Sequence, residues 1–228
     1  TERTFPTAPG GKGFKIAIGK DILGDDRYFD IRSAPHLLVA GASGSGKSVF
    51  LNVIIPQLAE VGDLHLFDPK IVELAQFKNM AVEYETDAKR INASLLRLTK
   101  EMNTRYELMA KTGARSIEGM TGMPYKFVIV DEFGDLILSE AVQINILTLA
   151  QKGRAAGIHL IIATQRPSAK IISGDIKANF NTKVVFKTAK AVDSRVVMDE
   201  DGAEKLQGKG DMLFVGDHGT ERLQGYLA

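Results

Sequence analysis

Short apolar runs, each bounded by turn residues or by a helical repeat, recur along this chain and predict strands alternating with helices. His36–Ala40, Leu64–Phe67, Phe127–Val130, His159–Ala163 and Val184–Phe186 are too short for helices and predict buried strands. A last pair, Asp211–Val215 and Arg222–Leu227, flanks the turn "GDHG". Near the start, "FKIAIGKDILGDDRYFDI" alternates apolar and polar residues around a turn and predicts a hairpin. The longest helical pattern, Asp87–Thr112, sets Ala88, Ile91, Leu95, Leu98, Met102, Tyr106 and Met109 in one stripe fit to pack on a sheet. Pro56 falls inside the helix expected after residue 47 and should kink or shorten it. The opening "TERTFPTAPGGKG" reads as a flexible lead-in over residues 1–13. Residues 14–228 then read as a single α/β domain. Its sheet is mostly parallel and flanked by helices, with antiparallel strands at the N- and C-terminal ends.

Composition narrows the classes. At 228 residues and 44% hydrophobic, the chain can bury a sizeable core. Net charge is +1, so no global basic field points to a polyanion. With no cysteine there are no disulfides or thiolate metal sites, which fits a cytoplasmic setting. His36, His65, His159 and His218 are scattered without metal-ligand spacing and read as strand-end or loop histidines. No apolar run approaches the ~20 residues of a membrane span. The chain begins at Thr1 and so reads as processed or excised, and missing segments or partners could still associate it with a membrane.

Candidate chemistry begins at "HLLVAGASGSGKSVFLN", where Gly41–Ser48 fits the phosphate-binding pattern of glycine, four residues, glycine, lysine, serine. Glycines let backbone N–H groups close on phosphate oxygens. Gly41, Ala42, Ser43, Gly44, Ser45, Gly46, Lys47, Ser48 and Val49 are the expected nucleotide contacts, with ATP as the ligand. Lys47 should reach the β- and γ-phosphates and the Ser48 hydroxyl should bind Mg2+. In "KFVIVDEFGDL" an apolar strand ends in Asp131, placed to hold Mg2+, and Glu132, placed to polarise a water as general base. "IHLIIATQRPS" ends a further strand in Thr164 and Gln165, where a polar group can sense the γ-phosphate. Arg154 in "LAQKGRAAGIHL" fits equally a cation at a helix C-terminus and an arginine finger serving a neighbouring subunit.

Charge is uneven. Residues 166–195 hold seven basic residues (Arg166, Lys170, Lys177, Lys183, Lys187, Lys190, Arg195) against Asp175 and Asp193, a local balance of +5. Spaced cations on loops and short helices suit phosphate-backbone contacts, and the scarcity of aromatics favours duplex over single strand. A solvated basic face is the other reading.

Together these motifs resemble the FtsK/SpoIIIE family of DNA translocases. The resemblance runs from about Ile18 onward through "PHLLVAGASGSGKSVFLN", "LFDPKIVELAQF", "EMNTRYELMAKTGARSIEGM", "VIVDEFGDLI", "AQKGRAAGIHLIIATQRPS", "IKANF" and "DSRVVMDEDGAEKLQGKGDMLF". It implies a RecA-like P-loop ATPase that forms a ring, usually a hexamer, and moves double-stranded DNA through the pore. It makes Lys47, Glu132, Arg154 and Gln165 catalytic, with Arg154 acting in trans, and puts Arg166, Lys177, Lys190 and Arg195 on loops that touch the DNA backbone. The family's preceding domain, membrane region and winged-helix domain have no counterpart here, and between "IEGM" and "MPYKF" only a short link remains. Type VII secretion ATPases share the fold and the "ATQRPS" strand, so polypeptide is the alternative load. A nucleotide-dependent switch or small kinase is a third reading, disfavoured by Asp131, Glu132 and Arg154.

Overall fold

The protein is described here from a computed structural model covering residues 13–227, so all but the last residue of the expected lead-in lies outside the described residues. The strands are β1 (Lys15–Lys20), β2 (Asp26–Asp30), β3 (His36–Ala40), β4 (Gly62–Phe67) and β5 (Glu83–Glu85), then β6 (Tyr125–Val130), β7 (Ile158–Thr164), β8 (Thr182–Phe186), β9 (Asp211–Gly216) and β10 (Gly219–Gly225). The helices are α1 (Lys47–Ala59), α2 (Ala88–Thr112), α3 (Phe133–Leu136), α4 (Glu140–Lys152), α5 (Gly174–Asn179) and α6 (Ala191–Met198).

All ten strands join one sheet in the order β2-β1-β10-β9-β8-β3-β7-β6-β4-β5. The six from β8 to β5 are parallel, while β9, β10, β1 and β2 add an antiparallel flank built from the two ends of the described chain. The mixed α/β sheet is the expected architecture. Strands covered on both faces read as near-continuous apolar runs, and β3 and β7 are buried at every position. Side chains alternate between faces, so Leu37 and Val39 join the core under α1, while Leu38 and Ala40 join the core under α2 and α4.

Several boundaries and faces differ from expectation. The last strand runs Gly219–Gly225 rather than Arg222–Leu227, because Gly219, with φ of +98°, closes a two-residue turn and starts the pairing earlier. The short edge strand β5 has no apolar run and was not anticipated. The α2 stripe buries Ile91, Leu95, Leu98, Met102 and Met109 as expected, but Ala88 is exposed and Tyr106 only half-buried. Ser94 and Arg105 are buried in the stripe instead. Arg105 tolerates this because its guanidinium donates to the carbonyls of Pro124 and Ala156 (2.9 and 2.7 Å) and pairs with Glu101 at 2.8 Å. Helix α1 continues only three residues past Pro56, to Ala59.

Candidate active site

The C-terminal edge of the parallel strands gathers the chemistry, as helix-covered parallel sheets direct it to do. From β3 the chain turns through Gly41–Gly46 into α1, whose first-turn N–H groups have no acceptor within the helix and face outward as an anion site. The loop is cut to glycine. A Cβ on Gly46, at φ +121°, would lie 2.6 Å from the Gly210 nitrogen, and one on Gly41 would lie 2.6 Å from Phe186 Cβ. The Ala42 N–H donates to the Lys187 carbonyl (2.8 Å) and Ser45 N–H to the Ala42 carbonyl (3.1 Å), so the loop is fixed before any ligand arrives.

A cavity of about 430 Å3 opens against this loop. Ala42, Ser43, Gly44, Gly46, Lys47, Ser48 and Val49 line it, whereas Gly41 and Ser45 are buried behind the loop. Gln165 lines the same cavity, as do Glu73 and, from the far end of the chain, Lys209, Gly210, Gly225 and Tyr226.

Strand β6, which ends in Asp131 and Glu132, is not the neighbour of β3; β7 runs between them. The gap is bridged by an ion pair between Lys47 Nζ and Asp131 Oδ1, both nearly inaccessible to solvent at 3% and 0% exposure. Burial pushes the Asp131 carboxyl up from its ordinary range, the Lys47 ammonium opposes this, and Glu73 and Asp68 add to it. Its second oxygen, Oδ2, is buried without a protein partner among the described residues, as is Ser45 Oγ.

Glu132 sits in the left-handed region at φ +51°, a conformation that side chains with a Cβ adopt only under constraint. The constraint is visible. Thr164 Oγ1 donates to Glu132 Oε1 at 2.9 Å, the Gln165 N–H points at both carboxylate oxygens at 3.3 Å, and Lys70 Nζ donates to Oε2 at 3.1 Å. Lys70 was not expected at the site, and neither was the hairpin that supplies Lys209 and Tyr226. The glycine-flanked "GKG" at residues 208–210 is the one local sign of the latter.

A magnesium nucleotide fits this set. The glycine loop leaves room for phosphate, and Ser48 lines the cavity with its hydroxyl as a hard oxygen donor. Asp131, which does not line the cavity, is tied to the loop through Lys47 and keeps Oδ2 without a protein partner, a second hard oxygen donor. No group of three or more acidic or histidine side chains able to hold a metal occurs among the described residues, so the other donors to Mg2+ would be phosphate and water oxygens.

Arg154 lies elsewhere. It is exposed in the turn before β7, at the opposite end of that strand from Gln165, and lines a separate cavity with Tyr106, Tyr125 and His159. Seven residues of strand separate the two ends by roughly 20 Å, so Arg154 cannot serve its own chain's loop.

Not every cation of the basic segment is free at the surface. Lys183 is buried in β8, where desolvation holds its ammonium below the ordinary range, so it does not contribute to an outer face. Lys177 on α5 pairs with Asp199, just past α6, and Arg195 on α6 lies 3.5 Å from Asp201. Arg166 and Lys190 are exposed and carry no carboxylate partner among the described residues. Arg166 sits with Ala42 and Gln165 beside the phosphate loop, while Lys190 precedes α6. Lys190 and the Lys177–Asp199 pair thus stand at opposite ends of α6, with Lys190 and Asp199 about 14 Å apart by helical rise.

This geometry accompanies clear likenesses to known proteins. The family model described as "FtsK/SpoIIIE family" matches residues 6–126 and 120–169, the two segments overlapping at the short link and the start of β6. The DNA translocase FtsK of Streptococcus pneumoniae is 42% identical over 238 aligned residues, covering 92% of this chain. This chain spans 31% of that relative's length. The structure of the pCW3 conjugation coupling protein TcpA, in its monomer form with ATPγS, superposes with a TM-score of 0.87 at 26% identity, covering 96% of this chain and 67% of that one. The cytoplasmic domain of the type VII secretion ATPase EccC of Thermomonospora curvata gives 0.81 at 23% identity, over 97% of this chain and 30% of that one, a likeness of fold. The motif set, the sheet and these matches agree, and the chain belongs to the FtsK/SpoIIIE family.

Proposed function

We propose that this chain is the motor core of an ATP-driven translocase of double-stranded DNA, working as a ring of copies, six in the family's usual form. The carrying observation is the pair of contacts from Thr164 Oγ1 and the Gln165 N–H to Glu132. They tie the carboxylate proposed to activate water to the strand end that continues into Arg166.

In this proposal Glu132 takes a proton from the attacking water while Lys47 neutralises phosphate charge. Mg2+ held by Ser48 and Asp131 would supply further charge neutralisation at the phosphates. Gln165 lines the phosphate cavity and holds Glu132 through its N–H, so in this proposal loss of the γ-phosphate moves both together. Arg166 follows Gln165 directly and carries that movement to the nucleic-acid backbone, with Lys190 as a second cation. Lys177 and Arg195 would join them only by exchanging Asp199 and Asp201 for phosphate. Because Arg154 lies a strand's length from its own loop, it acts on the nucleotide of the adjacent copy.

ATPase rates of the purified chain with and without duplex DNA test this. A several-fold rise with duplex at low salt, fading as salt increases, is expected. Equal rates with and without duplex would contradict DNA as the load and favour a polypeptide.

A further inference from the structure

Gly208, Lys209 and Gly210 have φ of +84°, +53° and +92°. The flanking glycines accept this freely, but Lys209 has a Cβ and is strained there, the kind of position retained for function. Contacts on both sides fix its backbone. The Gly210 N–H donates to the Ser45 carbonyl (2.9 Å), Gly225 N–H to the Gly210 carbonyl (2.8 Å) and Gln224 Nε2 to the Lys209 carbonyl (3.0 Å). Gly210 packs so closely on Gly46 that a Cβ on Gly46 would lie 2.6 Å from the Gly210 nitrogen, while a Cβ on Gly210 would meet Gln224 Nε2 at 2.8 Å. Lys209 is therefore anchored to the phosphate loop itself. It lines the same cavity as Ser43, Gly44 and Lys47 and has no carboxylate partner among the described residues, Glu73 on that cavity included.

We propose that Lys209 is a second phosphate-binding cation of this site, supplied by the C-terminal hairpin. Its ammonium pairs with the diphosphate portion common to ATP and ADP. The inference rests on the nucleotide reading above. It also gives the hairpin a role: β9 and β10 join the loop to the antiparallel flank, so the last described strands complete the nucleotide pocket.

Titration of the whole chain with fluorescent ADP and ATPγS separates the possibilities. Lys209→Gly keeps a backbone suited to positive φ and removes only the side chain, while Lys209→Arg keeps the charge. We expect K209G to bind both nucleotides about tenfold or more weakly, with an unchanged or raised melting temperature, and K209R to bind within about threefold of the parent. K209G binding as tightly as the parent would overturn the proposal, as would equal losses in K209G and K209R. A parent chain that binds neither nucleotide would overturn the nucleotide reading instead.

Discussion

Lys70 Nζ stands 3.1 Å from Glu132 Oε2, an exposed lysine from the loop after β4 reaching a carboxylate that is only 2% accessible. With Thr164 and Gln165 it makes three donors converging on one side chain. Such charge-assisted bonds hold the carboxylate in one orientation against the strain of its φ of +51°. Glu132, the base in the proposed mechanism, is thus positioned by two elements far apart in sequence, the loop after β4 and the end of β7.

Removing the ammonium should loosen the base without touching nucleotide affinity. Lys70→Met is expected to lower kcat about fivefold with KM for ATP within about twofold, and Lys70→Arg to restore most of the rate. Steady-state kinetics of the three proteins checks this. A parallel rise in KM would place Lys70 in binding instead.

Glu132→Gln keeps the size and two of the contacts but cannot take a proton. Turnover should fall by about a hundredfold or more while ATPγS affinity is retained. Single-turnover hydrolysis and binding titrations read the two effects separately, and a rate within about threefold of the parent would remove Glu132 from the base role.

A site completed by Arg154 from another copy should complement. Arg154→Ala and Lys47→Ala are each expected to abolish ATPase activity, and a mixture to recover part of it. A mixed interface whose loop comes from the R154A copy and whose arginine comes from the K47A copy then contains an intact lysine and an intact arginine, while the reverse arrangement lacks both. Recovery peaking near equal proportions supports the shared site; no recovery at any ratio contradicts it.

Two buried histidines contribute to the acid response of the fold. Desolvation, aided by the His159 charge, pushes His36 down to about 3, and desolvation, opposed by the Pro35 carbonyl, pushes His159 down to about 4. Above pH 7 both are neutral whether folded or unfolded, so they add no pH dependence. As pH falls through the unfolded value near 6.5, the unfolded chain takes up protons the folded chain refuses. Stability then falls by about 1.4 kcal/mol per pH unit per histidine until the folded values are reached. Urea midpoints between pH 7 and 4.5 should fall less steeply in a His159→Gln variant, and an unchanged slope would rule that histidine out.

Much of this was legible because the motifs are local. His36–Ala40 is the same five residues as pattern and as strand, and the glycine loop and the Asp131–Glu132 pair each announce themselves within a few positions. What was hidden depends on distant backbone. Arg105 looks like a surface cation until the carbonyls of Pro124 and Ala156 are seen to receive it. Lys183 counted toward an outer basic face until the pairing of β8 buried it. Lys70 and Lys209 reach the site from a loop after β4 and a turn before β9, and no spacing within a motif connects them to Gly41–Ser48. Strand β5 carries one apolar residue, Tyr84, between two glutamates, so no hydrophobic period could reveal it.

Displacement of a third strand from a triplex on linear duplex DNA tests the central claim most directly. With ATP the chain should release the third strand, and it should fail to do so with ATPγS or as E132Q. ATP hydrolysis that is stimulated by duplex yet leaves the third strand in place would contradict translocation.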